Sequence, residues 1–315
     1  MTTTLLPPIP LENGQSLAME IAWRRIGHGP VKVLLIHALT GGVHPDGPKG
    51  WWGPLFAEDA PLAATRATTW APNLPGSCYG STGPRAGEAF PDLTPRDMAE
   101  ALAVWILASD LHFDAVLGGS LGGMVALELA LRLPERVGAV GAIGTGGRSD
   151  AWLLGHNHVQ RSILAEPALP DDRAIALARH AAMLTFRTAQ SLNQRFEATD
   201  IRPWLDHHGL ALSERFTRAS YLALLKAWDA HDLGRGRGGL VPALRGLRGP
   251  LHLLGIDSDQ LFVPPLILEL AEAGLAAGAE VHLNWLHTPH GHDAFLMEWG
   301  QVALWLDTLL EGLNP

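Results

Sequence analysis

The sequence predicts an α/β fold, a mainly parallel sheet flanked by helices and interrupted by an inserted helical cap. Three observations carry this. Short apolar, β-branched runs such as VKVLLIHAL (31–39) stop at glycine-rich turns, which describes strands buried on both faces. Segments of helical spacing follow most of these runs, the alternation a parallel sheet requires. From Arg148 to Leu247 helical spacing continues without a convincing strand, as in DDRAIALARHAAMLTF and SYLALLKAWDAHD, and the alternation returns only at PLHLLGI (250–256). The expected organisation is a core of residues 1–147 and 248–315 with a cap of residues 148–247.

Each later element has its own signal. TTWAPN (68–73) reads as a second strand broken by Pro72. Thr94, Pro95 and Asp97 make a helix start, with a hydroxyl at the N-cap, proline at the first helical position and a carboxylate in the first turn. FDAVLGGS then reads as strand and turn, MVALELALRL as helix and VGAVGAIGTGG as strand and loop. After the cap come a helix through PPLILELAEAGLAAG, the strand AEVHLNWL and a last helix from Ala294 to Leu313.

Composition narrows the function. The 315 residues are 47% hydrophobic and 17% charged, enough for one large globular unit. A net charge of -9 without a Lys/Arg cluster argues against nucleic acid as partner, and the two arginines of GRGRGG (234–239) do not make a binding surface. Cys78 is the only cysteine, so no internal disulfide forms and a reducing cytoplasm is expected. No signal peptide is visible at the start, and no apolar run reaches the roughly 18 residues that span a bilayer. His156, His158, His207 and His208 lack a complete ligand set at metal spacing, so no metal is expected.

The chemistry centres on GGSLGGMVALELA (118–130), which sets Ser120 between glycines at a strand-to-helix transition. A sharp turn there projects a hydroxyl beyond the sheet edge and aims a helix N-terminus at whatever reacts with it. A serine at its free pKa is a poor nucleophile, so a base and an orienting acid are required, in the chain order Ser, Asp or Glu, His. DSDQLF places Asp257 and Asp259 at the end of a strand, and HTPHGHDAF offers His287, His290 and His292. His292, after a glycine and before the last helix, suits a loop leaning over the serine. Two backbone N–H groups are needed for an oxyanion hole. Leu121 supplies one, and Leu39 of HALTGG is chosen for the other, with His37 in that loop read as structural.

Several segments together resemble the homoserine O-acetyltransferase family: HALTGG (37–42), NLPGSCYGSTGP (73–84), the serine turn, LTFRTAQSLNQRF (184–196), RFTRASYLALLKAWDAHDLGRGRGG (215–239), GIDSDQLFVPP (255–265) and GHDAFL (291–296). The resemblance implies an α/β-hydrolase fold and transfer of an acetyl group from acetyl-CoA, a co-substrate rather than a bound cofactor, to the hydroxyl of L-homoserine. It implies Ser120 as nucleophile, His292 as base, Asp259 as the acid that orients it, and Asp293 as partner of the acceptor's amino group. It also implies an arginine for the acceptor's carboxylate, Arg187 first and Arg195 second, and a homodimer through the cap. The chain departs from the common motif GGSMGGMQALEWA at Leu121, Val125 and Leu129. Leu121 needs only its N–H, and Val125 and Leu129 are expected on the helix behind the nucleophile as altered packing. Together with the short segment RAGEAFPDLT and the stretch GGRSDAWLLGHNHVQRS, these departures lie near the acceptor pocket and leave serine or another hydroxy amino acid, or succinyl-CoA as donor, as alternatives. An esterase of the same fold is a second alternative.

Overall fold

The computed structural model describes residues 1–85 and 88–313. Among the described residues eight strands make one sheet: β1 (Thr2–Pro10), β2 (Ser16–Ile26), β3 (Val31–Ile36), β4 (Ala67–Pro72), β5 (Phe113–Gly119), β6 (Val137–Ile143), β7 (Leu251–Ile256) and β8 (Val281–Leu286). Their order is β1-β2-β4-β3-β5-β6-β7-β8. The six strands from β4 to β8 run parallel, while β1 and β2 form an antiparallel edge. From β3 the chain goes first to β4 on one side and then to β5 on the other. That reversal opens a crevice beyond the carboxyl ends of β3 and β5, where open α/β sheets place their sites.

Helices α1 (Pro95–Ala108) and α2 (Leu121–Arg132) follow β4 and β5. Thr94 caps α1 as its sequence requires, accepting from the Asp97 amide while Asp97 accepts from the Thr94 amide. Six helices lie between β6 and β7: α3 (Ala151–Ala165), α4 (Asp171–Phe186), α5 (Ala189–Arg195), α6 (Ile201–Ser213), α7 (Arg218–Asp229) and α8 (Leu240–Leu244). Among the described residues, the strand-like pairing in this region is an isolated bridge between Arg148 and Asp232. α9 (Pro264–Ala277) and α10 (Trp299–Glu311) complete the chain. Side chains of α1, α2 and α9 pack in one apolar cluster on the sheet, and Trp305, Leu306 and Leu309 of α10 join Trp52 and Leu55 in a second. Each fully buried leucine contributes about 1.5–3 kcal/mol. Among the described residues no helix is long and apolar enough to cross a membrane.

Two features differ from expectation. The β1–β2 hairpin was not anticipated, because a register shift between Leu5 and Pro8 breaks the two-residue alternation and three prolines interrupt the run. At a sheet edge such prolines are tolerated. The last helix begins at Trp299 rather than Ala294, because Gly291–Leu296 forms a tight 3₁₀ turn.

Candidate active site

Ser120 is a buried residue between β5 and α2, with φ +55° and ψ −124°. The backbone strain of such a position costs about 1–3 kcal/mol. The flanking glycines permit the close packing that enforces it. A Cβ at Gly118 would lie 2.2 Å from the Gly122 carbonyl oxygen, and one at Gly122 would lie 2.3 Å from that of Ile36. The start of α2 is thereby held directly against the end of β3.

The paired acids and histidines of the sequence separate cleanly. His292 Nδ1 lies 2.7 Å from Asp259 Oδ2, both side chains being almost fully buried. Asp259 Oδ1 accepts from the Leu261 and Phe262 amides at 2.7 and 3.0 Å, which fixes the carboxylate. Asp257 instead pairs with exposed His287 at 2.9 Å. His290 Nδ1 lies 2.8 Å from Ser191 Oγ, and among the described residues it pairs with neither aspartate. His292 Nε2 is buried with no hydrogen-bond partner among the described residues, and the ring lines a cavity of about 40 Å³ together with Ser120. Phe186, Phe262 and Phe295 surround it with ring centroids 5.5–5.7 Å away. Burial opposes protonation of His292, but the Asp259 charge and hydrogen bond, with Asp293 adding to them, carry its pKa above the ordinary histidine value. This geometry suits a base with one nitrogen anchored and the other free for proton transfer.

Leu39 and Ser120 line the same cavity. Leu121 opens α2, so its amide has no carbonyl one turn earlier in the helix. The Leu39 amide donates to no other backbone group among the described residues. Both positions chosen for oxyanion binding therefore retain a donor. His37 is fully enclosed: its Nδ1 donates to the Ala38 carbonyl at 2.7 Å, and its Nε2 accepts from the Leu74 amide at 2.9 Å. Burial pushes its pKa down to about 4, so it is a neutral strut for the loop.

Asp293 lines the Ser120 cavity and also a neighbouring cavity of about 440 Å³. Burial raises its pKa, opposed by Arg179, His292 and Arg187. Arg187 is 4% exposed, donates to Ser191 Oγ and lines only the outer of these two cavities. Exposed Arg195 stands beside it in that cavity, over the ring of Phe196 at 5.1 Å. Arg179 was not singled out from the sequence, yet it lines the Ser120 cavity and the outer one. A signal existed. Arg179 is four residues after buried Ile175 and seven before buried Phe186, which puts it on the inward stripe of α4. Its guanidinium lies 5.3 Å from the Phe186 ring centroid. Val125 and Leu129 lie on α2 behind Ser120, fully buried in the core, and line none of these cavities, so their departure from the common motif is one of packing.

A family model described as the alpha/beta hydrolase fold matches residues 32–283. A homoserine O-acetyltransferase of Thermus thermophilus is 38% identical over 313 residues, covering 88% of this chain and 81% of that protein. The crystal structure of a homoserine O-acetyltransferase from Staphylococcus aureus superposes with a TM-score of 0.86 at 24% identity, covering 100% of this chain and 95% of the other. An acetylester hydrolase from Corynebacterium glutamicum superposes with a TM-score of 0.84 at 16% identity, covering 98% and 95%. At such identities the two structures share the fold with this chain, and the fold alone does not separate transfer from hydrolysis. The sequence relationship goes further: the chain belongs to the homoserine O-acetyltransferase family, within the α/β-hydrolase fold.

Proposed function

We propose that the protein transfers an acetyl group from acetyl-CoA to the hydroxyl of L-homoserine, a step of methionine biosynthesis, through an acyl-Ser120 intermediate. The observation that carries this reading is the presence of two opposite charges, Asp293 and Arg179, in the small cavity that holds Ser120 and His292. An ester hydrolase has no need of such a pair, whereas an amino-acid acceptor presents an ammonium and a carboxylate to be held. The relatives named homoserine O-acetyltransferase support the same choice.

In the first half-reaction, His292 Nε2 takes the Ser120 proton as Oγ attacks the thioester carbonyl. The Leu39 and Leu121 amides hold the resulting oxyanion. Collapse breaks the C–S bond, and His292 returns the proton to the leaving thiolate, leaving acetyl on Ser120. In the second, His292 takes the proton of the homoserine hydroxyl, whose oxygen attacks the acetyl carbonyl. Breaking the bond to Oγ releases the product ester, and the proton passes back to Ser120. Asp259 holds the imidazole throughout and stabilises its charged form.

For the acceptor carboxylate Arg179 is favoured over Arg187. The homoserine hydroxyl and carboxylate are only a few bonds apart, and Arg179 shares the Ser120 cavity while Arg187 does not. The helices between β6 and β7 act as a cap that keeps water from the acyl-enzyme. A cytoplasmic location fits a coenzyme A substrate, and exposed Trp152, Val159 and Leu210 on these helices fit a contact with a second copy. Thiol release from acetyl-CoA, followed with and without L-homoserine, tests the reading. Strong stimulation by homoserine is expected, and equal rates in its presence and absence would mark an esterase.

A further inference from the structure

The buried guanidinium of Arg187 takes no part in the proposed reaction, and its hydrogen bonds lead toward the loop that carries His292. Arg187 stands between α4 and α5. Its Nε and Nη2 donate to Ser191 Oγ at 3.2 and 2.5 Å, and Nη2 also lies 3.4 Å from His290 Nδ1. Ser191 is buried, with Oγ 2.8 Å from that same Nδ1. Arginine has only donors, so Ser191 Oγ accepts from it and passes its own proton toward Nδ1. The imidazole proton then sits on Nε2, which faces Glu298 at 3.8 Å. The series runs from a buried cation through a hydroxyl and an imidazole to a carboxylate just before α10.

Further contacts fasten the same two segments. Thr188 Oγ1 donates to the Pro289 carbonyl and accepts from the Ser191 amide. Thr288 Oγ1 donates to Glu298 at 2.6 Å and accepts from the His290 amide at 3.2 Å. The backbones themselves meet: a Cβ at Gly291 would lie 2.8 Å from the Phe186 carbonyl oxygen and 3.3 Å from Arg187 Cα. On the loop side, the next two residues are His292 and Asp293. On the cap side is Phe186, whose ring is 5.7 Å from His292 and lines the Ser120 cavity. The staple therefore sets the distance between a wall of the reaction chamber and its base.

We propose that Ser191 and His290 are positioning residues that hold the α4–α5 junction down on the His292 loop, and that this closure decides whether the acyl-serine meets homoserine or water. Neither side chain touches the reacting atoms. The inference rests on the acetyl-transfer reading and adds to it the contacts that keep the chamber shut between the two half-reactions. Loosening the staple spares acylation, during which the donor itself fills the chamber. It exposes the acyl-serine afterwards, once the thiol has left.

The test measures the partition of the acyl-enzyme, O-acetylhomoserine against free acetate, from acetyl-CoA and saturating L-homoserine, with the thiol burst recorded alongside. Wild type should give the ester almost alone. Ser191→Ala and His290→Leu should each lower the ester-to-acetate ratio about five- to tenfold, while the burst rate stays within about twofold of wild type. His290→Gln, whose amide can accept from Ser191 and donate toward Glu298, should recover most of the ratio. A loss in His290→Gln equal to that in His290→Leu would mean packing alone and overturn the proposal. His290 is only half-buried, so its two variants decide the matter even if Ser191→Ala fails to fold. An unchanged ratio in His290→Leu would also overturn it, as would a burst slowed as much as the transfer, the mark of a general disturbance of the site. A wild-type enzyme that releases acetate at the same rate with and without homoserine would instead sink the acetyl-transfer reading, and the proposal with it.

Discussion

The proposed roles of Ser120, Asp259 and His292 rest on where their backbone holds them. At Gly118 a methyl group would collide with the Gly122 carbonyl oxygen at 2.2 Å, so Gly118→Ala must displace the turn. A loss of about 1–3 kcal/mol in urea unfolding is expected, together with most of the activity. The titration of His292 gives a second outcome. The ring must be neutral to accept a proton, and its pKa is raised by Asp259 against the lowering effect of burial. Activity should therefore fall as pH drops through a value above the ordinary histidine pKa of about 6.5. Asp259→Asn removes the raising charge, so the acid limb should move to lower pH while kcat falls about 10³–10⁴-fold. Asp257→Asn touches the surface pair with His287 and a bond from the Thr288 amide, neither of which involves Ser120 or His292, and its kcat should stay near wild type. A profile that shifted with Asp257 instead would reverse the assignment. His292 and the acids were legible because strand ends and chain order locate them. Arg179 was not, because its role arises from α4 folding over the sheet, a long-range arrangement that local spacing only hints at.

At the scale of elements, GRGRGG is a clasp rather than a binding surface. Arg237 reaches Glu128 at 2.7 Å, Arg235 reaches Glu12 at 2.7 Å, and Arg96 contacts both acids. Positive φ at Gly236, Gly238 and Gly239 lets the loop turn tightly enough to present both arginines. The network joins the β1–β2 turn, α1, α2 and the segment before α8, and Glu128 within it is 2% exposed. Glu128→Ala leaves Arg96 and Arg237 facing each other without an acid between them. A loss of about 2–4 kcal/mol is expected by chemical denaturation, larger than for the exposed Arg148–Glu269 pair. NLPGSCYGSTGP is also structural in large part: Ser81 Oγ accepts from the Ala22 amide and donates to the Asn73 carbonyl, tying the loop to β2. The parallel strands and their helices were readable because burial on both faces leaves continuous apolar runs. The edge hairpin was not, since a bulge and prolines erase its alternation.

For the whole molecule, the topology makes the site and the helices between β6 and β7 define its chemistry. Phe186 of α4 and Trp228 of α7 reach over the sheet to His292, with ring centroids 5.7 and 6.3 Å from it. They close the Ser120 cavity to about 40 Å³, with larger cavities on either side. In the proposed reaction, so small a chamber suits an acetyl group better than a bulkier acyl group. It also leaves little space for water around an acyl-serine whose competitor is a bound hydroxyl. Arg179 stands at the junction of all three cavities. Arg179→Ala should raise KM for homoserine at least about tenfold while acyl-enzyme formation from acetyl-CoA persists, measured as the burst of thiol. The fate of the acyl group tests the account most directly. Enzyme mixed with acetyl-CoA, freed of excess donor and analysed by mass spectrometry should carry one acetyl group on the peptide containing Ser120, and none in Ser120→Ala. L-homoserine should then discharge that acetyl group far faster than buffer alone and yield O-acetylhomoserine. Acetyl on another residue, or discharge at the same rate with and without homoserine, would contradict it.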